Sequence, residues 1–130
     1  MRSVYPVVFT KCNGGYMAYV PDFDINSQGD DLAEAIEMAR DAIGIMGIDI
    51  QDDKKVLPDS TPLESVPHEV GEVVSLVDID FTAYRRANER RTVRRNVSLP
   101  SWLNTEAEKA GINVSALLQT AIKNELKLVD

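Results

Sequence analysis

The sequence has one cysteine, Cys12, one histidine, His68, and one tryptophan, Trp102, among 130 residues. A single thiol excludes an intramolecular disulfide and any zinc site built on several cysteines, and it suits a reducing compartment. The histidine sits in a proline-rich stretch without a base or metal ligand at a recognisable spacing, so nucleophilic catalysis has no constellation to work with. There is no glycine-rich phosphate loop. No apolar run approaches the roughly 18 residues of a membrane span, and Met1-Arg2-Ser3-Val4-Tyr5-Pro6 does not open a signal peptide, so a soluble cytoplasmic protein is expected. Aromatic residues are scarce at 6%, yet a hydrophobic content of 44% is enough for a packed core and argues against wholesale disorder.

What is present in excess is negative charge: 21 Asp and Glu against 14 Lys and Arg, a formal charge of −7. Taken as an average, that balance speaks against nucleic acid as a partner. The average conceals a division. Residues 1–83 hold 5 basic and 16 acidic side chains, net −11, and residues 84–130 hold 9 basic and 5 acidic, net +4. An acidic module is joined to a basic one, and the length accommodates one ordinary domain or two small ones.

In the acidic module, Val4-Tyr5-Pro6-Val7-Val8-Phe9 and Tyr16-Met17-Ala18-Tyr19-Val20 are β-rich runs separated by Asn13-Gly14-Gly15, a hairpin signature. Pro6 cannot donate to a ladder and belongs at an edge or bulge. Asp31 with Glu34 three residues on resembles a capping box. Leu32, Ala35, Ile36, Ala39, Ile43 and Met46 then recur at helical spacing, with Gly44 and Gly47 marking the end of the helix. From Gly47 to Gly71 the pattern reads as loop, and residues 73–81 read as a third strand with Val77, Ile79 and Phe81 on one face. The expected order is β-β-α-β, an α+β layer of one helix on a small sheet. Residues 82–91, with four arginines and little apolar content, read as a basic linker or a short exposed helix.

The basic module, residues 92–130, reads as a short strand at 92–99, a helix opening at Pro100 and a second helix after Gly111. A lone strand cannot satisfy its own backbone, but two copies can pair antiparallel about a twofold axis and close their helices over one face of the ribbon. Val93, Arg95, Val97 and Leu99 share one strand face, and Arg94, Asn96 and Ser98 share the other. A two-stranded ribbon fits the major groove, where Arg and Asn bond bidentately to guanine and adenine edges. Asn113-Val114-Ser115, at the start of the last helix, offers a cap side chain and free N–H groups to phosphate. Trp102 reads as dimer-core packing. The polar-alternating strand, Leu-Pro, amphipathic helix, Gly-x-Asn-x-Ser and second helix over residues 92–127 resemble the ribbon-helix-helix repressors. That resemblance implies base reading by Arg94, Asn96 and Ser98 and phosphate holding by Asn113, Val114 and Ser115.

The N-terminal hairpin, with Gly-Tyr-Met-Ala-Tyr-Val-Pro-Asp-Phe-Asp followed by Gln28-Gly29-Asp30-Asp31-Leu32-Ala33-Glu34-Ala35, resembles the HicB antitoxins. Those join a truncated, non-catalytic RNase H-like domain to a small DNA-binding domain. The resemblance implies a cytoplasmic bacterial antitoxin with residues 1–81 neutralising a basic, mRNA-cleaving HicA-like toxin. It also implies residues 92–127 forming a homodimer on a palindromic operator, higher-order assembly with toxin, and no cofactor. Tyr16, Tyr19, Asp22, Phe23 and Asp24 are the candidate toxin contacts. The alternative is a stand-alone repressor whose N-terminal module senses a ligand or protein.

An RNase H-like sheet also raises the possibility of a metal-dependent nuclease built on Asp22, Asp24, Asp78 and Asp80, although no motif supports one. Asp22-x-Asp24-x-Asn26 imitates a calcium loop, but Ser27 and Ala33 stand where that loop requires Gly and Glu. An enzyme is not expected.

Overall fold

A computed structural model describes residues 2–89 and 92–128 of the chain. The chain forms two compact units, Met1–Arg91 and Thr92–Asp130. The first contains strands β1 (Arg2–Cys12), β2 (Gly15–Val20) and β3 (Ile25–Gly29), helix α1 (Leu32–Asp52), strand β4 (Val73–Asp80) and helix α2 (Phe81–Asn88). The second contains helices α3 (Ser101–Lys109) and α4 (Val114–Glu125). The fold is α+β, with a four-stranded antiparallel sheet and four α-helices among the described residues.

The sheet order is β3-β2-β1-β4, with every neighbouring pair antiparallel. Alternation along β1 sends Tyr5, Val7 and Phe9 to the face covered by α1, where Ala18 and Val20 of β2 and Val77 and Ile79 of β4 join them. Ala35, Ala39 and Ile43 of α1 close this core. Pro6 lies where β1 is laddered to β4 but has passed the end of its pairing with β2, as a residue without a donor requires. Pro6 and Val8 are also buried although they alternate to the opposite face. Val66 is buried within the loop of residues 53–72.

Three features depart from the reading of the sequence. First, β3 adds an edge strand, making the order β-β-β-α-β. Its run, Ile25-Asn26-Ser27-Gln28-Gly29, is polar because backbone bonds to β2 rather than side-chain burial hold it. A turn with Phe23 N–H donating to Val20 O (3.3 Å) and Asp24 at φ +52° leads into it.

Second, α1 does not stop at Gly44 or Gly47. It runs 21 residues to Asp52 and ends with Lys54 in the left-handed region, its N–H donating to Gln51 O and that of Lys55 to Ile50 O. The glycines are notches. A methyl group at Gly44 would lie 2.6 Å from the Tyr84 ring, and one at Gly47 would overlap the Phe81 ring.

Third, the segment read as a linker or a short exposed helix is helical over most of its length, but that helix is docked on the first unit rather than free. Asp80, the last residue of β4, caps α2 by accepting from the Ala83 N–H (3.1 Å), which holds its carboxyl below the usual range. Phe81 is fully buried against Gly47. The Tyr84 hydroxyl donates to Asp41 (2.8 Å), while Arg85 pairs with Asp52 and Glu89 (both 3.0 Å). In addition, Arg40 of α1 donates to the Asp78 carboxylate (3.1 Å) and backbone carbonyl (2.9 Å), tying α1 to the edge strand β4.

Two measurements test this packing. Gly47→Ala gains about 1 kcal/mol of helix propensity but forces the Phe81 ring off α1, where overpacking costs about 1–3 kcal/mol or more. A net fall in thermal stability is expected, and a rise would show that the ring is free to move. Burial and the Asp41 bond push the Tyr84 phenol up to about 12, whereas an unfolded tyrosine ionises near 10. The resulting stabilisation is complete below pH 10 and is lost as pH rises through about 12. Denaturant unfolding followed from pH 9 to 12 should therefore fall less steeply in Tyr84→Phe than in the parent chain.

Candidate functional site

The second unit is built from helix signals that work as its sequence suggests. α3 ends at Ala110, and Gly111 at φ +68° lets its N–H donate to Glu108 O and that of Ile112 to Ala107 O, turning the chain sharply. Asn113 caps α4 by accepting from the Ala116 N–H (3.1 Å). Helix geometry leaves the N–H groups of Val114 and Ser115 pointing out of the first turn. These three residues form one exposed corner.

Residues 92–100 make no strand pairing within the chain and are exposed throughout, so Arg94, Asn96 and Ser98 are accessible. A single chain offers no second strand to complete a ladder. Thr92, Val93, Arg94 and Arg95 border an open groove of about 630 Å³ whose other wall is Ser115, Leu118, Gln119 and Ile122 of α4.

The apolar side chains of this unit lack a core. Among its described residues none is buried; Val93 is 72% exposed, Trp102 68% and Leu126 62%, and Val97, Leu117 and Ile122 are also exposed.

The five residues singled out in the first unit are divided by the structure. Tyr16 lies at the hairpin end of β2 and is partly buried against the core. Tyr19, three residues on, points to the opposite face, and its hydroxyl donates to Asp24 (2.8 Å), a bond that raises its pKa. Asp22 accepts from the Thr61 N–H (3.0 Å) and hydroxyl, and Phe23 is buried edge-on to Tyr5 with ring centroids 4.8 Å apart. Asp22 and Phe23 thus staple the β2–β3 turn to the loop of residues 53–72, which also receives the Tyr5 hydroxyl at Pro58 O (2.9 Å).

Of the acidic residues weighed as metal ligands, Asp78 is engaged by Arg2 (3.7 Å) and Arg40 and Asp80 caps α2. No group of three or more His, Cys, Asp or Glu among the described residues is arranged to hold a metal ion. No helix among the described residues is long and apolar enough to cross a membrane.

Sequence periodicity missed an exposed apolar pair on α1. Met38 and Ile45 fall outside the inward positions 32, 35, 36, 39, 43 and 46, and that misfit was the available signal.

Known proteins resemble this chain over most of its length. Residues 5–121 match the family described as HicB_like antitoxin of bacterial toxin-antitoxin system. An uncharacterised 14.9 kDa protein of the rep–hol intergenic region of Haemophilus phage HP1 is 33% identical over 119 residues, covering 88% of this chain and 75% of that protein. A chain of a toxin–antitoxin complex from Streptococcus pneumoniae superposes with a TM-score of 0.60 at 22% identity, covering 96% of this chain and 99% of that one. The antitoxin HicB of Burkholderia pseudomallei superposes with a TM-score of 0.55 at 22% identity, covering 95% and 96%.

Proposed function

The chain belongs to the HicB-like family of antitoxins of bacterial toxin–antitoxin systems, and from that premise we propose that it divides two tasks between its units. The first unit binds and inhibits a HicA-like, mRNA-cleaving toxin. The second dimerises and binds the operator, repressing the operon in the bacterial cytoplasm. The family and the superposition with a chain of a toxin–antitoxin complex support the first task.

One observation carries the second: among the described residues of this unit, 92–128, there are many large apolar side chains and none of them is buried. Helices with apolar faces need something to cover them. A second copy covers them and at the same time supplies the missing partner for residues 92–99. Pairing that stretch antiparallel directs Val93, Val97 and Leu99 to the helices and leaves Arg94, Asn96 and Ser98 on the outer face of a ribbon. Those side chains read base edges in the major groove, each bidentate contact contributing about 1–3 kcal/mol of discrimination. The Asn113 corner, with the N–H groups of Val114 and Ser115, clamps flanking phosphate. Twofold symmetry makes the operator palindromic.

In the first unit, the net charge of −11 over residues 1–83 suits a cationic partner. Opposite charge speeds encounter, and an acidic cover on an RNA-cleaving protein repels its substrate. The chain acts as a regulator and not as an enzyme, and its carboxylates at Asp78 and Asp80 serve as structural anchors.

Operator binding by Arg94→Ala and Asn96→Ala, measured by fluorescence anisotropy, should weaken by roughly 1–3 kcal/mol each, while sedimentation still shows a dimer. The parent chain's affinity should fall steeply with salt, because phosphate contacts release counterions. Variants that bind the operator as tightly as the parent would contradict the ribbon assignment.

A further inference from the structure

Helix α1 carries a second apolar stripe that the fold does not use. Met38 and Ile45 are 43% and 52% exposed. They stand seven residues apart, two turns along one side of the helix, on the flank beside the Ala35, Ala39 and Ile43 side that closes the core. Glu34 and Asp49 fall on the same stripe at helical spacing and Glu37 lies beside it, all three exposed. At its N-terminal end the stripe opens into a groove of about 420 Å³ bordered by Tyr16, Gln28, Asp30, Glu34 and Met38, with no basic residue in its lining. Glu34 accepts the Asp30 N–H through one carboxylate oxygen, Asp41 receives the Tyr84 hydroxyl and Asp52 pairs with Arg85.

We propose that this stripe, with Met38 and Ile45 at its centre and Glu34, Glu37 and Asp49 at its rim, is where a small cationic protein docks on the first unit. The inference rests on the antitoxin reading, which supplies such a partner, and it names the surface that partner uses. Methionine and aliphatic side chains supply adaptable contact area at an interface centre, and charge belongs at the rim, where it steers association. Charge complementarity selects the occupant. A second copy seated on the same stripe across a twofold axis would set carboxylates against carboxylates, whereas a cationic surface neutralises them. The edge strand β4 is a poorer platform for a cation, because Arg2 and Arg40 already occupy Asp78 there. Of the five residues first singled out, only Tyr16 borders the groove.

The test uses the whole chain and, as probe, a small basic HicA-like toxin, titrated by calorimetry. Met38→Arg and Ile45→Arg each place a cation on an exposed position. Each should weaken binding at least tenfold, with circular dichroism and sedimentation of the free chain unchanged. Leu76→Arg, on exposed β4, should bind as the parent does. The double variant Glu37→Gln, Asp49→Asn keeps shape but removes charge, and it should slow association and flatten its salt dependence. Ile45→Arg and the double variant binding like the parent, or Leu76→Arg losing as much as Ile45→Arg, overturns the assignment of this stripe. So does a changed oligomeric state in Ile45→Arg, which would make the stripe a contact between copies. Failure of the parent chain itself to bind the probe overturns the toxin-binding reading and not merely the surface.

Discussion

The Phe81 ring seated against Gly47 is the contact on which the arrangement of the first unit depends. It requires a residue without a side chain in the middle of a helix, a choice that by propensity alone costs about 1 kcal/mol relative to alanine. The return is that β4 passes directly into α2, with Asp80 ending the strand and capping the helix. Tyr84 and Arg85 then complete the dock through Asp41 and Asp52. The acidic unit consequently closes on a packed helix capped at Glu89.

The two units are unequal in what they complete alone. The first has a contiguous core from Tyr5 to Phe81, and every buried side-chain polar atom among the described residues has a hydrogen-bond partner. The second has well-formed helix ends, with Gly111 and Asn113 satisfying the local backbone, but no buried residue among those described. Local rules therefore suffice to make its helices, while hydrophobic burial is deferred. In the proposed dimer that deferral is the basis of function, since the same association that buries Val97, Leu117 and Ile122 creates the outer face bearing Arg94, Asn96 and Ser98.

Charge is distributed by the same logic. Several ionic groups in the first unit hold the fold: Arg40 ties α1 to β4 through Asp78, and Arg85 ties α2 to α1 through Asp52. Exposed pairs of this kind contribute little individually, so they serve mainly to fix how elements sit. What remains is an acidic helix face on one unit and a basic segment leading into the other, consistent with partners of opposite sign.

Much of this was legible in the chain alone. The split of −11 beside +4, the Asn13-Gly14 hairpin, the Asp31 cap with its bond from the Glu34 N–H (2.8 Å), the inward face of α1 and the Gly111–Asn113 corner all follow from local chemistry. The capping box closes one residue early, with Glu34 accepting from Asp30 N–H rather than from Asp31, a shift within the reach of a flexible side chain. Tertiary structure alone decided three things. It made a polar run an edge strand, because β2 offered ladder bonds to Ile25–Gly29 that side-chain pattern does not record. It turned Gly44 and Gly47 from stop signals into notches, because the Tyr84 and Phe81 rings, 40 and 34 positions away in sequence, came to lie on them. It also separated Tyr16 from Tyr19, Asp22 and Phe23, placing the first beside an open groove and committing the others to the opposite face or to the β2–β3 turn. Local sequence specifies where an element begins and which face is apolar, but what lies against that face depends on residues distant in the chain, and only the packed fold brings them there.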